Sequence, residues 1–124
     1  MKFKSVLLLL ALIASATCAA TKTVLNTAAC ASKDFRDADA ELNATYKKVI
    51  QRFKEDTARV RSIKETQRQW ILFRDLEATA ISESSAGGSI HGDCLCAAVA
   101  NLQRDRTIQL KRYLEGVEGD GCAP

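Results

Sequence analysis

Apolar residues in this chain fall into three stretches with helical spacing, preceded by one short unbroken run. From Ser32 onward the pattern is almost continuously helical, with no Pro before the last residue and no alternating β-branched segment of the kind a strand needs. Phe35, Ala38, Leu42, Tyr46, Val49 and Phe53 are separated by threes and fours, which puts them on one face of a first helix capped by Ser32 or Asp34. Glu55-Asp56-Thr57 breaks that spacing. Thr57, or Ser62 with Glu65 as a capping box, then opens a second helix, and the short break predicts an antiparallel hairpin.

The second helix places Val60, Ile63, Gln67, Trp70, Ile71, Arg74, Ala78 and Ile81 on or beside one face, so polar and apolar residues share it. Ser82 to Gly92 reads SESSAGGSIHG, where Gly87-Gly88 cannot continue a helix, and this is the one substantial internal loop. A third helix begins between Asp93 and Ala97 and runs through Val99, Leu102, Arg106, Leu110, Tyr113 and Leu114 until Gly116 stops it. The tail GVEGDGCAP is loose unless Cys122 ties it back. The expected fold is all-α: an antiparallel helical hairpin plus a third C-terminal helix, forming a small three- to four-helix bundle held by disulfides.

The unbroken run, Val6 to Ala14, is nine residues long, follows Lys2 and Lys4, and leads into small residues. A membrane-spanning helix needs about 20 apolar residues, so this is read as a secretory signal peptide. Ala14-Ser15-Ala16 fits the small-x-small cleavage rule best, while a cut after Ala19 or Ala20 gives a more usual length. The expected organisation is a signal peptide over residues 1–20, or as short as 1–16, followed by one helical domain to residue 124. The expected location is periplasmic or secreted; lipid anchoring at Cys18 is a minor alternative, because Ser15-Ala16-Thr17 lacks the residues such a site favours.

Composition narrows the function. A chain of 124 residues supports one ordinary core. Setting Lys2 and Lys4 aside leaves 16 basic against 15 acidic residues, a net +1 in place of +3, and no nucleic-acid footprint. With one His (His91), His-rich metal sites and most catalytic triads are excluded by inventory, and no cofactor motif is present. The first helix carries Asp34, Asp37, Asp39 and Glu41 early and Lys47, Lys48, Arg52 and Lys54 late, the order its dipole favours, so this stripe reads first as a solvated face.

In an oxidising compartment the candidate half-cystines are Cys30, Cys94, Cys96 and Cys122, with Cys18 added if the cut comes after Ala16. Four cysteines allow three pairings. Cys94-Leu95-Cys96 reads as two half-cystines with different partners rather than a metal site with His91, because nothing completes a tetrahedral set. Ser89-Ile90-His91 reads as coincidence rather than nucleophile and base, and Asn43-Ala44-Thr45 as helix interior rather than a glycosylation site.

Gln67-Arg68-Gln69-Trp70 with Phe73-Arg74-Asp75 is the densest mixture of aromatic, guanidinium and amide groups. Trp and Arg dominate protein-binding hot spots, but a Trp facing a core is packing, and Gln67 and Arg74 are suited to satisfying Asn43 or Glu41 on the first helix.

Asp39-Ala40-Glu41-Leu42-Asn43 followed by Tyr46, then Gln67, Trp70, Phe73-Arg74-Asp75, Gly87-Gly88-Ser89, Cys96 and Arg106-Thr107 with Leu110 resemble the LprI-like lysozyme-inhibitor family over roughly Cys30 to Leu110. The resemblance implies an exported, helical, non-enzymatic protein whose partner is another protein, with lysozyme the family's namesake target. It gives Asp39, Glu41, Leu42, Asn43, Tyr46, Gln67, Trp70, Arg74, Asp75 and Arg106 structural roles. Many relatives bridge a Cys after the R-D-x-E stretch to a Cys beyond the glycine loop. Here that first place is Ala78, which suggests a bridge rearranged toward the C-terminal end among Cys94, Cys96 and Cys122. Many also have a Cys well upstream of the one matching Cys30, a part open only to Cys18.

Gly87, Gly88, Ser89 and His91 are therefore the leading contact surface, with Trp70 and Arg74 a second candidate. Inhibition would work by occluding the glycan cleft, with Arg, Lys or backbone N–H groups near the loop engaging the acidic cleft residues. Lysozymes are commonly basic, and a chain near +1 gains little steering toward them. The alternative is an envelope scaffold or adaptor that binds through Trp70 and Arg74; turnover of an envelope polymer lacks the paired acid/base groups it needs.

Overall fold

The computed structural model describes residue 25 and residues 27–116, and it is all-helical over them. After a short 3-10 turn at Thr27–Ala29 come α1 (Lys33–Arg52), α2 (Thr57–Ser82) and α3 (His91–Glu115), with a second 3-10 turn at Glu83–Ser85. The signal-peptide region, Cys18 and Cys122 lie outside the described residues.

Each boundary has a local cause. Ser32 caps α1, its hydroxyl accepting from the Phe35 N–H at 3.1 Å. The cap of α2 is Asp56, which accepts from the Arg59 N–H at 2.9 Å, rather than Thr57 or Ser62. Thr57 is already the first helical residue. Ser62 is in the interior, with its carbonyl accepting from the Thr66 hydroxyl, and Glu65 bonds forward to Arg68 and Gln69 instead of back to a cap. α3 starts at His91, before the Asp93–Ala97 window, because a turn bond from the His91 N–H to the Gly88 carbonyl leads straight into it. It ends where Gly116 adopts φ +62°.

Long-range contacts fix the helix directions. Cys30–Cys96, Asp39–Gln103 and Phe53–Tyr113 show α1 and α3 running parallel, while Ser82–His91 and Gln67–Arg106 show α2 antiparallel to α3. The α1–α2 hairpin reverses the chain as expected, but the dominant packing is of both helices on α3. Two clusters form the core. Cys30, Phe35, Ala38, Ala78, Ala98, Val99 and Ala100 pack at the loop end with Leu25, and Leu42, Val49, Ile63 and Leu110 pack with Tyr46, Trp70 and Tyr113 at the turn end.

The buried face of α2 departs from its apolar pattern. Ile81, expected on the core side, is 52% exposed, because α2 ends one residue later and Ser82 takes the buried place. Asp75, a charged residue, is buried on this face; it accepts from the Leu25 N–H at 3.1 Å, so the N-terminal strap is pinned to α2.

Candidate functional site

The motif residues converge on α3. Arg106 is 7% exposed; its Nε donates to Gln67 Oε1 at 3.0 Å and its Nη1 to Gln109 Oε1 at 2.9 Å. Burial lowers its pKa from the usual guanidinium range. Trp70, half-buried, has the guanidinium carbons of Arg74 and Arg106 at 5.6 and 5.9 Å from its ring centroid. Arg74 forms a buried ion pair with Asp75 Oδ1, at 2.8 Å from Nε and 2.6 Å from Nη2. The partner of Gln67 is thus Arg106 on α3 and that of Arg74 is Asp75, neither being Asn43 or Glu41 on α1. Asn43 instead donates to Asp39 Oδ2, Glu41 pairs with Lys111, and Asp39 Oδ1 accepts from Gln103, whose Oε1 is buried with no partner among the described residues. Leu42 is core, and Tyr46 is half-buried.

At its centre this network is interior, while Asn43 and the Glu41–Lys111 pair lie at the surface. It holds three helices and a strap together and offers no open cleft with paired acid and base groups. Among the described residues no three His, Cys, Asp or Glu side chains group as a metal site.

The loop is the contrasting element. His91 Nδ1 lies 3.2 Å from the Ser82 carbonyl and 3.3 Å from Ser85 Oγ, and the Ser85 hydroxyl donates to the Ser82 carbonyl at 2.7 Å. The nitrogen facing the carbonyl must carry a proton. Gly87 has φ +76°, a conformation strained for any side chain, and a Cβ on Gly88 would meet the Ser85 carbonyl at 3.2 Å. The loop is therefore pre-shaped, with Gly87, Gly88 and Ser89 exposed and Ile90 60% exposed at its end, while half-buried His91 acts as its clasp.

Beside the loop lies a surface cavity of about 410 Å³ lined by Ala29, Ala31, Ser32, Asp34, Gly92, Asp93, Cys96 and Ala97. The starts of both α1 and α3 border it, and the Cys30–Cys96 bridge braces it. That bridge ties Cys96 to the N-terminal strap rather than to a rearranged C-terminal set. Cys94 is a half-buried free thiol, not the second half-cystine expected of the CxC pair.

Helix direction also sorts the charges. Residues 75–103 contain no Lys or Arg, and with residues 33–41 they carry eight carboxylates against two cations. Residues 47–64 carry seven cations against two carboxylates. Because α2 runs opposite to α1 and α3, these sets lie at opposite ends of the bundle, the acidic one around the loop. Helical periodicity missed this, since the sign of each end emerges only once the three directions are known.

The sequence model of the family described as "Lysozyme inhibitor LprI" matches residues 14–110. The chain belongs to the LprI lysozyme-inhibitor family. An uncharacterized protein of Rhizobium meliloti (strain 1021) is 34% identical over 100 residues, covering 72% of each chain. No solved structure matches. The family is one of inhibitors rather than enzymes, and the match takes in Cys18, upstream of the stretch in which the motif residues themselves are recognised.

Proposed function

We propose that this LprI-family protein is an exported inhibitor that blocks lysozyme with its acidic loop end. The observation that carries the reading is the pairing of a pre-shaped apolar tip, Ile90, with a rim of carboxylates that includes Glu83 and Asp93 and has no Lys or Arg from residue 75 to 103. A net charge near zero conceals a strongly acidic end, and that end supplies the steering toward a basic enzyme that the whole-chain count lacked. Asp34 and Asp93 in the cavity wall suit a Lys or Arg side chain from the partner, although Asp34 is shared with Arg104.

Contact with the enzyme's own acidic cleft would come from the backbone N–H groups of Gly92 and Asp93, at a helix start whose cap, Ile90, offers no side-chain bond. An adaptor role through Trp70 and Arg74 has less support, since Arg74 is buried against Asp75. Export rests on the leader pattern of residues 1–20. No described helix is long and apolar enough to cross a membrane. Titrating a basic lysozyme with the processed protein tests the reading: cell-wall lysis should slow near equimolar ratio.

A further inference from the structure

We propose that the opposite, basic end of the bundle docks on an anionic phospholipid surface. Six cations crowd the last turns of α1 and α3 and the first turns of α2: Lys47, Lys48, Arg52, Arg61, Lys64 and Arg112. All are exposed, and none takes part in an ion pair among the described residues.

Helix stability explains only some of them. Arg52 and Arg112 sit in the last turns of α1 and α3, where the dipole favours a cation. α2 is the reverse case. Its first turn holds no carboxylate, and Arg59 and Arg61 sit near the end where the dipole is positive, with Lys64 one turn further on. Only Arg59 is compensated, by the Asp56 cap. Arg61 and Lys64 share this end of the bundle with Lys47, Lys48 and Arg52 of α1. Such an arrangement costs folding stability, and binding a counter-charge relieves it.

The shape selects the counter-charge. The cations are spread over the ends of three helices, and the described cavity lies at the other end of the bundle. A distributed patch of cations matches a planar array of lipid phosphates rather than one phosphate ion. Glu55 and Asp56 at the turn are held beside Lys54 and Arg59, and exposed Glu115 closes α3 at the same end, so the cations there outnumber the carboxylates. α3 is about 37 Å long, so docking by this end would hold the loop that far from the lipid, facing an incoming partner. The inference does not depend on which protein the loop meets.

The test is co-sedimentation of the processed protein with phosphatidylcholine vesicles, with and without phosphatidylglycerol. Binding to the anionic vesicles only, lost at high salt, is expected. The variant K47Q/K48Q/R52Q/R61Q/K64Q should lose roughly fivefold in affinity per neutralised residue while keeping its helical circular dichroism; K33Q/R36Q, at the other end, should bind as the parent does. Equal binding to neutral vesicles, no binding to either, or undiminished binding by the five-residue variant would overturn the proposal. So would full competition by millimolar inorganic phosphate, which assigns a single-phosphate site, or tighter binding to duplex DNA than to vesicles.

Discussion

Arg106 and Gln67 meet at 3.0 Å across the α2–α3 interface, and the amide oxygen is the long-range acceptor of a buried guanidinium that has no carboxylate partner. Gln67→Leu fills similar volume but leaves the buried Nε–H without its acceptor, Nη1 keeping Gln109. Chemical denaturation should show a loss of about 1.5–3 kcal/mol, and Arg106→Lys should not restore it, because the ammonium lacks both the planar fork and the stacking on Trp70. A loss indistinguishable from a surface substitution would show that the bond does not hold the helices together.

Asp75 binds two partners at once, the Arg74 guanidinium and the Leu25 N–H. Asp75→Asn keeps an acceptor for one of them but leaves Arg74 as an uncompensated buried charge, a change of about 3–5 kcal/mol. Hydrogen exchange should at the same time speed up at Leu25 and through the Thr27–Ala29 turn. If the strap stays protected, the pinning does not depend on Asp75.

The Cys30–Cys96 bridge closes 66 positions of sequence. A loop of that length should contribute roughly 4 kcal/mol by restricting the unfolded chain. Reduction, or Cys30→Ser with Cys96→Ser, should lower the denaturation midpoint accordingly and open the cavity wall. An unchanged midpoint would mean that the two cysteines are not bridged in the folded protein.

The helices and their core faces are legible in the chain because threes-and-fours spacing records which residues meet. Phe35, Ala38, Leu42 and Val49 are buried as the pattern requires. The polar partners were not legible. Gln67 and Arg74 have the same spacing whichever helix they face, and only the central position of α3 sends Gln67 to Arg106. Asp56 as cap agrees with the preference of Asp over Thr at that position, whereas His91 as both helix start and loop clasp depends on turn bonds that single-residue preferences do not encode. The bond from the Leu25 N–H to Asp75 has no signature in spacing, because it is made by the backbone 50 positions away.

Burial raises the Tyr46 hydroxyl above its ordinary value of 10.0. In the unfolded chain the phenol ionises near pH 10, while the folded chain keeps its proton, so the contribution is intact below that pH and is lost as pH rises through the raised folded value. Stability should fall from about pH 10 upward, and Tyr46→Phe should move that fall to higher pH. An alkaline limb identical in the two proteins would place the cause elsewhere.

The central claim is that the acidic loop end occludes lysozyme. Its most direct measurement is the rate of cell-wall lysis by a basic lysozyme, with the processed parent protein and with an Ile90→Asp/Asp93→Lys variant whose melting temperature matches the parent's. The parent should slow lysis near equimolar ratio, and the variant should need at least about tenfold more protein for the same effect. Unchanged lysis at large excess of the parent, or equal inhibition by the variant, would contradict the account.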